Sequence, residues 1–192
     1  MVPRTHTLEQ TLQECREMIL PTAYFAPARW YKVFVNEPCQ IEVCESFPKQ
    51  TYRNRCTIMS PDGPVTLSVP VCHVESKQLT RDIQISYQQH WQHQHKIALL
   101  SAYKRTPYFD YYQDYIMPLY DNRFKYLKDL NDACHSVVWS LMQNQRPQQT
   151  QTLPATDDWQ QHDLEQFWGD GSSILDLLMQ YGPQTTLYLQ QI

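Results

Sequence analysis

Glycine is scarce in this chain, with only four among its 192 residues. One glycine lies at position 63 and the other three lie beyond position 168. None of them can build the Gly-x-Gly-x-x-Gly loop or the Gly-x-x-x-x-Gly-Lys-Ser/Thr loop that wraps a phosphate group. The commonest nucleotide-binding signatures are therefore excluded.

Long apolar runs are also lacking. No stretch approaches the roughly 20 apolar residues that a membrane span requires, and the first 18 residues contain no apolar run of signal-peptide length. We therefore expect a cytoplasmic protein without a membrane span. The net charge of −4 gives no general attraction to nucleic acid, so any basic site must be local and nucleic acid is not an expected partner.

The six cysteines form no Cys-x-x-Cys pair, and without an export signal the sequence predicts reduced thiols, most of them buried. The His-Glu-x-x-His zinc motif and the Gly-x-Ser-x-Gly nucleophile motif are also missing. We predict no metal site, and the sequence identifies no cofactor.

The order of patterns along the chain predicts a mixed α/β fold, with α+β as the alternative. Alternation and short apolar runs in the first half predict strands at 18–20, 40–47 and 82–87, and a hairpin turning at 60–63. Helical periodicity predicts helices from Pro27 onward, over 90–105, 107–117 and 121–143, and from Ser172 or Ser173 to Gly182. We expect a mixed sheet with a β-hairpin, covered by helices from the C-terminal half.

The length predicts a single domain over 1–192. Residues 1–16 are a polar lead-in. Residues 144–158 are polar, contain two prolines and have no periodicity, so they predict a mobile loop.

The segment Pro48-Lys-Gln-Thr-Tyr-Arg-Asn-Arg-Cys56 places a cation or hydroxyl at every second position: Lys49, Thr51, Arg53 and Arg55. In an extended chain these side chains share one side. Guanidinium and ammonium groups suit phosphate or carboxylate, so we predict an anionic small molecule there. The alternative is a solvated face that pairs with acidic residues of the fold.

Three histidines follow in the predicted helix, at positions 90, 93 and 95. They cannot converge on one metal ion, because His95 is rotated about 140° from His90 around the helix. His95 shares its face with Trp91 and Leu99. It is either a core histidine with satisfied hydrogen bonds or a general acid/base that lines a pocket.

The segment 103–120 is rich in tyrosine, which suits sugar stacking, core packing and protein interfaces alike. Exposed tyrosines on these helices would favour a homodimer. This gives a second hypothesis, a non-catalytic ligand-binding or dimeric assembly module.

Six segments in order resemble the WbqC-like protein family over about residues 18–182: ILPTAYFAPARWYKVF, FPKQTYRNRCTI, GPVTLSVPV, DIQISY, HWQHQHKIALLSAYKRTPYFDYY and ILDLLMQYGP. The resemblance implies a bacterial protein associated with cell-surface polysaccharide (O-antigen-type) gene clusters, in nucleotide-sugar or amino-sugar modification. The positions that carry over are Tyr24, Asn54, Arg55, His95, Tyr103 and Pro107.

The chain departs from the family pattern at three places. Many members have Gln-Pro-Asn-Tyr where this chain reads Leu20-Pro-Thr-Ala-Tyr24. Many also have Gly-Tyr-Phe where this chain reads Arg29-Trp30-Tyr31, and Asn-Arg-Asn where it reads Asn54-Arg55-Cys56. These changes predict an altered substrate or lost activity.

Together, the residues and the resemblance lead us to expect an enzyme that transfers a small group to an anionic, sugar-nucleotide-like substrate. His95 is the candidate acid/base. The candidate substrate-binding residues are Tyr24, Lys49, Thr51, Arg53, Asn54, Arg55, Trp91 and Tyr103.

Overall fold

The structure is a computed structural model that describes residues 18–142 and 171–191. The predicted lead-in at 1–16 and the predicted mobile loop at 144–158 lie outside the described residues. Within the described ranges the fold is mixed α/β, as the sequence predicts, with strands in the N-terminal half and helices dominating the C-terminal half.

The first sheet consists of two parallel strands, β1 (Met18–Pro21) and β2 (Cys39–Glu42). Parallel neighbours need a crossover connection, and helix α1 (Ala28–Asn36) supplies it. Pro27 caps α1, where its missing N–H costs nothing. The strand predicted at 40–47 is shorter than expected because the Glu42 carboxylate accepts the N–H of Cys44, which turns the chain out of the ladder.

The predicted hairpin is confirmed. Strands β3 (Arg55–Ser60) and β4 (Gly63–Ser68) pair antiparallel, with Ser60 opposite Gly63 across a two-residue loop. Gly63 has φ +116, which an L side chain rarely adopts, and the Ser60 hydroxyl donates to its carbonyl at 2.7 Å.

The strands form two separate two-stranded sheets in the described part of the chain, and no single mixed sheet joins them. The segment 82–87 is not a strand of either sheet. It makes isolated bridges through Gln84 to Tyr126 and through Ile85 to Val71. Its alternation is nevertheless real, since Ile83 and Ile85 are buried. The period-two pattern thus indicated an extended, half-buried segment but not a ladder partner.

The predicted helices of the second half are confirmed, with the bounds α2 (Trp91–Tyr103), α3 (Phe109–Ile116), α4 (Leu127–Leu141) and α5 (Ile174–Tyr181). Ser173 caps α5, and its hydroxyl accepts the N–H of Leu175 at 3.3 Å. A further helix, α6 (Thr185–Gln191), follows the turn at Gly182–Gln184 and was not predicted. Short 3₁₀ turns also occupy Thr80–Asp82 and Met117–Tyr120.

One contiguous hydrophobic core joins both sheets to the helices. Helix α4 buries a stripe of side chains at helical spacing, Leu127, Asn131, Cys134, Val138 and Leu141, while α2 buries Trp91, His95, Leu99 and Tyr103. The cysteines in the described ranges are free thiols, and three of them are buried: Cys39, Cys56 and Cys134. Among the described helices, none is both long enough and apolar enough to cross a bilayer.

Candidate functional site

A buried cluster of hydroxyl groups surrounds the imidazole of His95. Helix α2 directs this side chain into the core, where it is 4% exposed. Its Nδ1 lies 3.0 Å from the hydroxyl of Tyr24, which in turn lies 2.6 Å from the hydroxyl of Tyr120. Trp91, one helical turn before His95, packs edge-on against the imidazole with the ring centroids 5.1 Å apart. The structure thus brings Tyr24, Trp91 and His95 together.

The direction of the hydrogen bonds in this cluster depends on the protonation of His95. Burial lowers the pKa of His95 from 6.5 to about 4, so the ring is neutral at pH 7. The backbone of Ser68 opposes this shift, as a carbonyl that accepts a ring N–H would. Because Nδ1 faces Tyr24, we infer that the proton is on Nε2. Tyr24 would then donate to His95, and Tyr120 would donate to Tyr24.

Tyr103 extends the polar core towards the C-terminal helix. Its hydroxyl donates to the Asp176 carboxylate on α5 at 2.6 Å. The carboxylate also accepts the Ser172 hydroxyl at 2.6 Å and the N–H of Met59 at 3.0 Å. Burial, reinforced by the charge of Asp176, raises the pKa of Tyr103, so its hydroxyl remains a proton donor. Tyr103 thus ties α2 to α5.

The predicted cation array does not form one face, because residues 49–54 adopt turns and not an extended strand. Lys49 is exposed. Arg53 is 3% exposed, and its guanidinium pairs through two nitrogens with Glu45, with Nη2 2.6 Å from Oε2. It also contacts the hydroxyl of Thr51 at 3.3 Å. Arg53 therefore bonds to an acid of the fold and not to an open cleft.

Asn54 and Arg55 lie where the turns lead into β3. The Asn54 side chain donates to the carbonyl of Val69 at 3.0 Å, which fixes the chain after β4. Arg55 pairs in register with Ser68. Its Nε is buried and has no hydrogen-bond partner within the described ranges. Arg55 is therefore the residue of the predicted array with an unsatisfied guanidinium nitrogen.

The three neighbouring histidines separate as the helical geometry predicts. His90 and His93 are exposed, whereas His95 points into the core. Residues 18–142 and 171–191 contain no group of three or more His, Cys, Asp or Glu side chains that is placed to hold a metal ion.

Three residues of the polar core were not predicted as site residues: Tyr120, Asn131 and Asp176. Tyr120 belongs to the tyrosine-rich segment, but only the fold shows which of those tyrosines reaches Tyr24. Asn131 appears in the apolar stripe of α4, and its amide donates to the carbonyl of Arg53 at 2.9 Å and to the Thr22 hydroxyl at 3.1 Å. Asp176 lies far along the chain from Tyr103, and no local pattern connects the two.

Comparison with known proteins gives one match. The model of the WbqC-like protein family matches residues 43–156, more than half of the chain. No curated protein and no solved structure matches the chain significantly. The matched range contains the hairpin, α2, α3 and α4, and therefore His95, Asn54, Arg55 and Tyr103.

Proposed function

The chain belongs to the WbqC-like protein family, and we propose that it is an enzyme of bacterial cell-surface polysaccharide (O-antigen-type) or amino-sugar metabolism. In this proposal it acts in the cytoplasm and transfers a small group to an anionic, sugar-nucleotide-like substrate. The substrate presents a phosphate or a carboxylate to the protein. We further propose that residues 1–192 act as a single domain.

The unsatisfied Nε of Arg55 is the observation that carries this proposal. A buried donor without an acceptor costs about 1–3 kcal/mol, and more when the group is charged. An anionic ligand would supply the missing acceptor and remove that cost. Guanidinium also matches phosphate and carboxylate by paired N–H donors.

Arg55 and His95 are connected through one residue of the hairpin. Ser68 is the register partner of Arg55, and its backbone lies close enough to the His95 ring to raise the pKa of the imidazole. A substrate anion at Arg55 would therefore bind at the strand end against which the imidazole is fixed. Since a rigid strand end positions a site better than a mobile loop does, this arrangement supports a binding role for Arg55.

The other predicted residues receive roles in keeping with their contacts. Tyr24 and Trp91 orient the His95 ring, and Tyr103 fixes the C-terminal end of α2. Arg53, with Asn54 and Thr51, shapes the turns that lead to Arg55, and Lys49 adds an exposed cation. His95 is buried and neutral, so a proton would reach it through the hydroxyl groups of Tyr24 and Tyr120.

The test is calorimetric titration of the protein with a panel of nucleotide-sugars. We expect at least one of them to bind, with Arg55→Ala weakening binding at least about tenfold. Arg105→Ala, a change at an exposed arginine outside the hairpin, is the matched control and should leave the affinity unchanged. If the wild-type protein binds no member of the panel, or if Arg55→Ala binds equally well, the proposal is wrong.

A second function is favoured by the exposed tyrosines of α3. Tyr111 is 71% exposed and Tyr115 is 57% exposed, and their spacing of four places them on one helix face. Tyrosine is enriched at protein interfaces. This supports a non-catalytic, homodimeric binding or assembly module.

Sedimentation velocity at micromolar concentration distinguishes the two functions. A dimer that dissociates in the Tyr111→Ser/Tyr115→Ser double variant would support the assembly module. A monomer at all concentrations would remove it.

A further inference from the structure

A polar depression lies between the start of α2 and residues 120–123, and Tyr120 of the His95 cluster is among its lining residues. It has a volume of about 250 Å³ and is called the α2 groove here. Its lining residues include Tyr87, His90, His93, Lys96, Asp121 and Arg123. None of the predicted site residues lines it. We propose that the α2 groove binds the phosphate group of a soluble phosphorylated small molecule, with Arg123 as the principal contact.

Arg123 supplies a cation that the fold does not neutralise. Within residues 18–142 and 171–191, its guanidinium pairs with no carboxylate and donates no hydrogen bond. It lies over the ring of Tyr87, 5.3 Å from the centroid. An aromatic face orients a guanidinium but leaves its N–H donors unused. The fork of Arg123 is therefore available to a ligand.

The walls of the α2 groove are held in place before any ligand binds. The Tyr87 hydroxyl donates to the carbonyl of Phe124 at 2.9 Å, which fixes the ring under Arg123. From α2, the Gln92 amide donates to the carbonyls of Tyr120 at 2.7 Å and Asn122 at 2.8 Å. These bonds hold the chain in place on both sides of Arg123, so the ligand has little of this segment left to order.

The charges and donors of the α2 groove suit a phosphate better than a carboxylate. Lys96 pairs with Asp121 and these two charges cancel, which leaves Arg123 as the net positive charge. His90 and His93 add imidazole groups from the start of α2, whereas Arg123 comes from a different segment of the chain. Donors from two segments can reach different oxygens of a tetrahedral phosphate, whereas a carboxylate offers two oxygens in one plane.

The size of the α2 groove limits how much of a ligand it can hold. Its volume of about 250 Å³ lies below the roughly 300–1,000 Å³ of pockets that enclose drug-sized ligands. It therefore takes the phosphate end of a molecule and leaves the rest outside. This site goes beyond the proposed function, because it uses neither Arg55 nor His95.

The test uses pyrophosphate as the probe in isothermal titration calorimetry with the full chain. We expect Arg123→Gln to raise the Kd at least about tenfold, because it removes both the charge and the fork. Arg123→Lys should give an intermediate Kd, since it keeps the charge alone. Arg105→Gln, an exposed arginine outside the groove, is the matched control and should not change the Kd. All four proteins should unfold at the same temperature.

Two further arms identify the ligand class. Acetate should bind at least about tenfold more weakly than pyrophosphate, and equal binding would overturn the phosphate assignment. Co-sedimentation with vesicles that contain phosphatidic acid tests a lipid-borne phosphate. Arg123-dependent binding to those vesicles without binding to pyrophosphate would overturn the proposal of a soluble ligand.

The outcome is separable from that of the proposed function. Arg55→Ala should leave the Arg123-dependent component of pyrophosphate binding unchanged, whereas it should weaken nucleotide-sugar binding. Pyrophosphate binding that depends on Arg55 and not on Arg123 would overturn the α2 groove while supporting the Arg55 site. Binding of pyrophosphate that depends on Arg123, without binding of any nucleotide-sugar, would support the groove and contradict the proposed function.

Discussion

The hydroxyl of Tyr24 lies 3.0 Å from Nδ1 of His95, although 71 residues separate the two along the chain. With the inferred proton on Nε2, Tyr24 donates to the neutral ring, and the Tyr24 oxygen accepts the proton of Tyr120. In either direction of donation, Tyr24 is the central member of a buried chain that joins Tyr120 to His95.

The central position of Tyr24 in this chain predicts unequal effects of removing the two hydroxyl groups. Tyr24→Phe leaves two buried groups unsatisfied, the Nδ1 acceptor of His95 and the O–H donor of Tyr120. Tyr120→Phe removes the first donor and leaves only the Tyr24 oxygen without a donor. We expect Tyr24→Phe to lower the free energy of unfolding by about 3 kcal/mol and Tyr120→Phe by about 1 kcal/mol. Urea denaturation monitored by circular dichroism measures both.

Tyr115→Phe is the control, because that tyrosine is exposed and should cost almost nothing. Equal losses in Tyr24→Phe and Tyr120→Phe would contradict a chain in which Tyr24 bonds to both His95 and Tyr120.

The buried imidazole also predicts how stability depends on pH. Unfolded His95 takes up a proton as the pH falls through about 6.5, whereas the folded protein resists protonation until about pH 4. The stabilising contribution is therefore complete above pH 6.5 and is lost as the pH falls towards 4. The loss is roughly 3 kcal/mol for this one group.

His95→Gln should reduce the decrease in unfolding free energy between pH 6.5 and pH 4, whatever its stability at pH 7. Part of the decrease remains, because burial also lowers the pKa of His135 to about 4. His93→Gln, which changes an exposed histidine, should leave the decrease unchanged. Denaturant titrations at half-unit pH intervals give the slopes. An unaltered slope in His95→Gln would show that this imidazole is not the titrating group.

Much of the fold follows from local patterns in the sequence. The spacing of Trp91, His95 and Leu99 places these three side chains on one face of α2, and burial of that face confirms the helix. The same reasoning predicts the stripe on α4 and the separation of His95 from His90 and His93. These features depend only on the helical repeat, so the sequence suffices for them.

The polar contacts depend on the tertiary fold and could not be predicted in the same way. A cation at every second position suggests a strand, but turns at 49–54 give Arg53 and Arg55 different environments. Arg53 is neutralised by Glu45, which lies eight residues earlier. Asp176 reaches Tyr103 across 73 residues of chain. No spacing rule encodes such contacts, because they follow from how whole elements pack.

The Arg53–Glu45 ion pair predicts a strong destabilisation when one partner is removed. Glu45→Ala leaves a guanidinium group buried without its counter-charge, since the Arg53 side chain is only 4% exposed. We expect the free energy of unfolding to fall by about 3 kcal/mol. Asp132→Ala breaks the more exposed pair with Lys128 and should cost less than about 1 kcal/mol.

The double variant Glu45→Leu/Arg53→Met separates the two causes of this loss. It removes both charges, so it should be more stable than Glu45→Ala alone. Unfolding in guanidinium chloride compares the wild type, Glu45→Ala, Asp132→Ala and the double variant. A double variant as unstable as Glu45→Ala would mean that the ion pair itself, and not the unpaired charge, determines the loss.

Gly182 predicts a steric requirement at the end of α5. Its φ is +55, and a Cβ at this position would lie 2.6 Å from Cζ of Tyr108. Gly63 also has a positive φ, of +116, but a Cβ there would meet no atom within 4 Å. Both alanine variants carry backbone strain of roughly 1–3 kcal/mol, because an L residue rarely adopts either conformation. Gly182→Ala must in addition displace the Tyr108 ring, which stacks on Tyr112.

We therefore expect Gly182→Ala to lower the thermal midpoint by several degrees more than Gly63→Ala does. Tyr108→Ala combined with Gly182→Ala isolates the clash, because the double variant has no ring to displace. In the Tyr108→Ala background, Gly182→Ala should therefore lower the stability only by the cost of backbone strain. Differential scanning calorimetry of the wild type, the two single variants and the double variant completes this double-mutant cycle. Additive losses from the two substitutions would mean that the Tyr108 ring does not select glycine at this position.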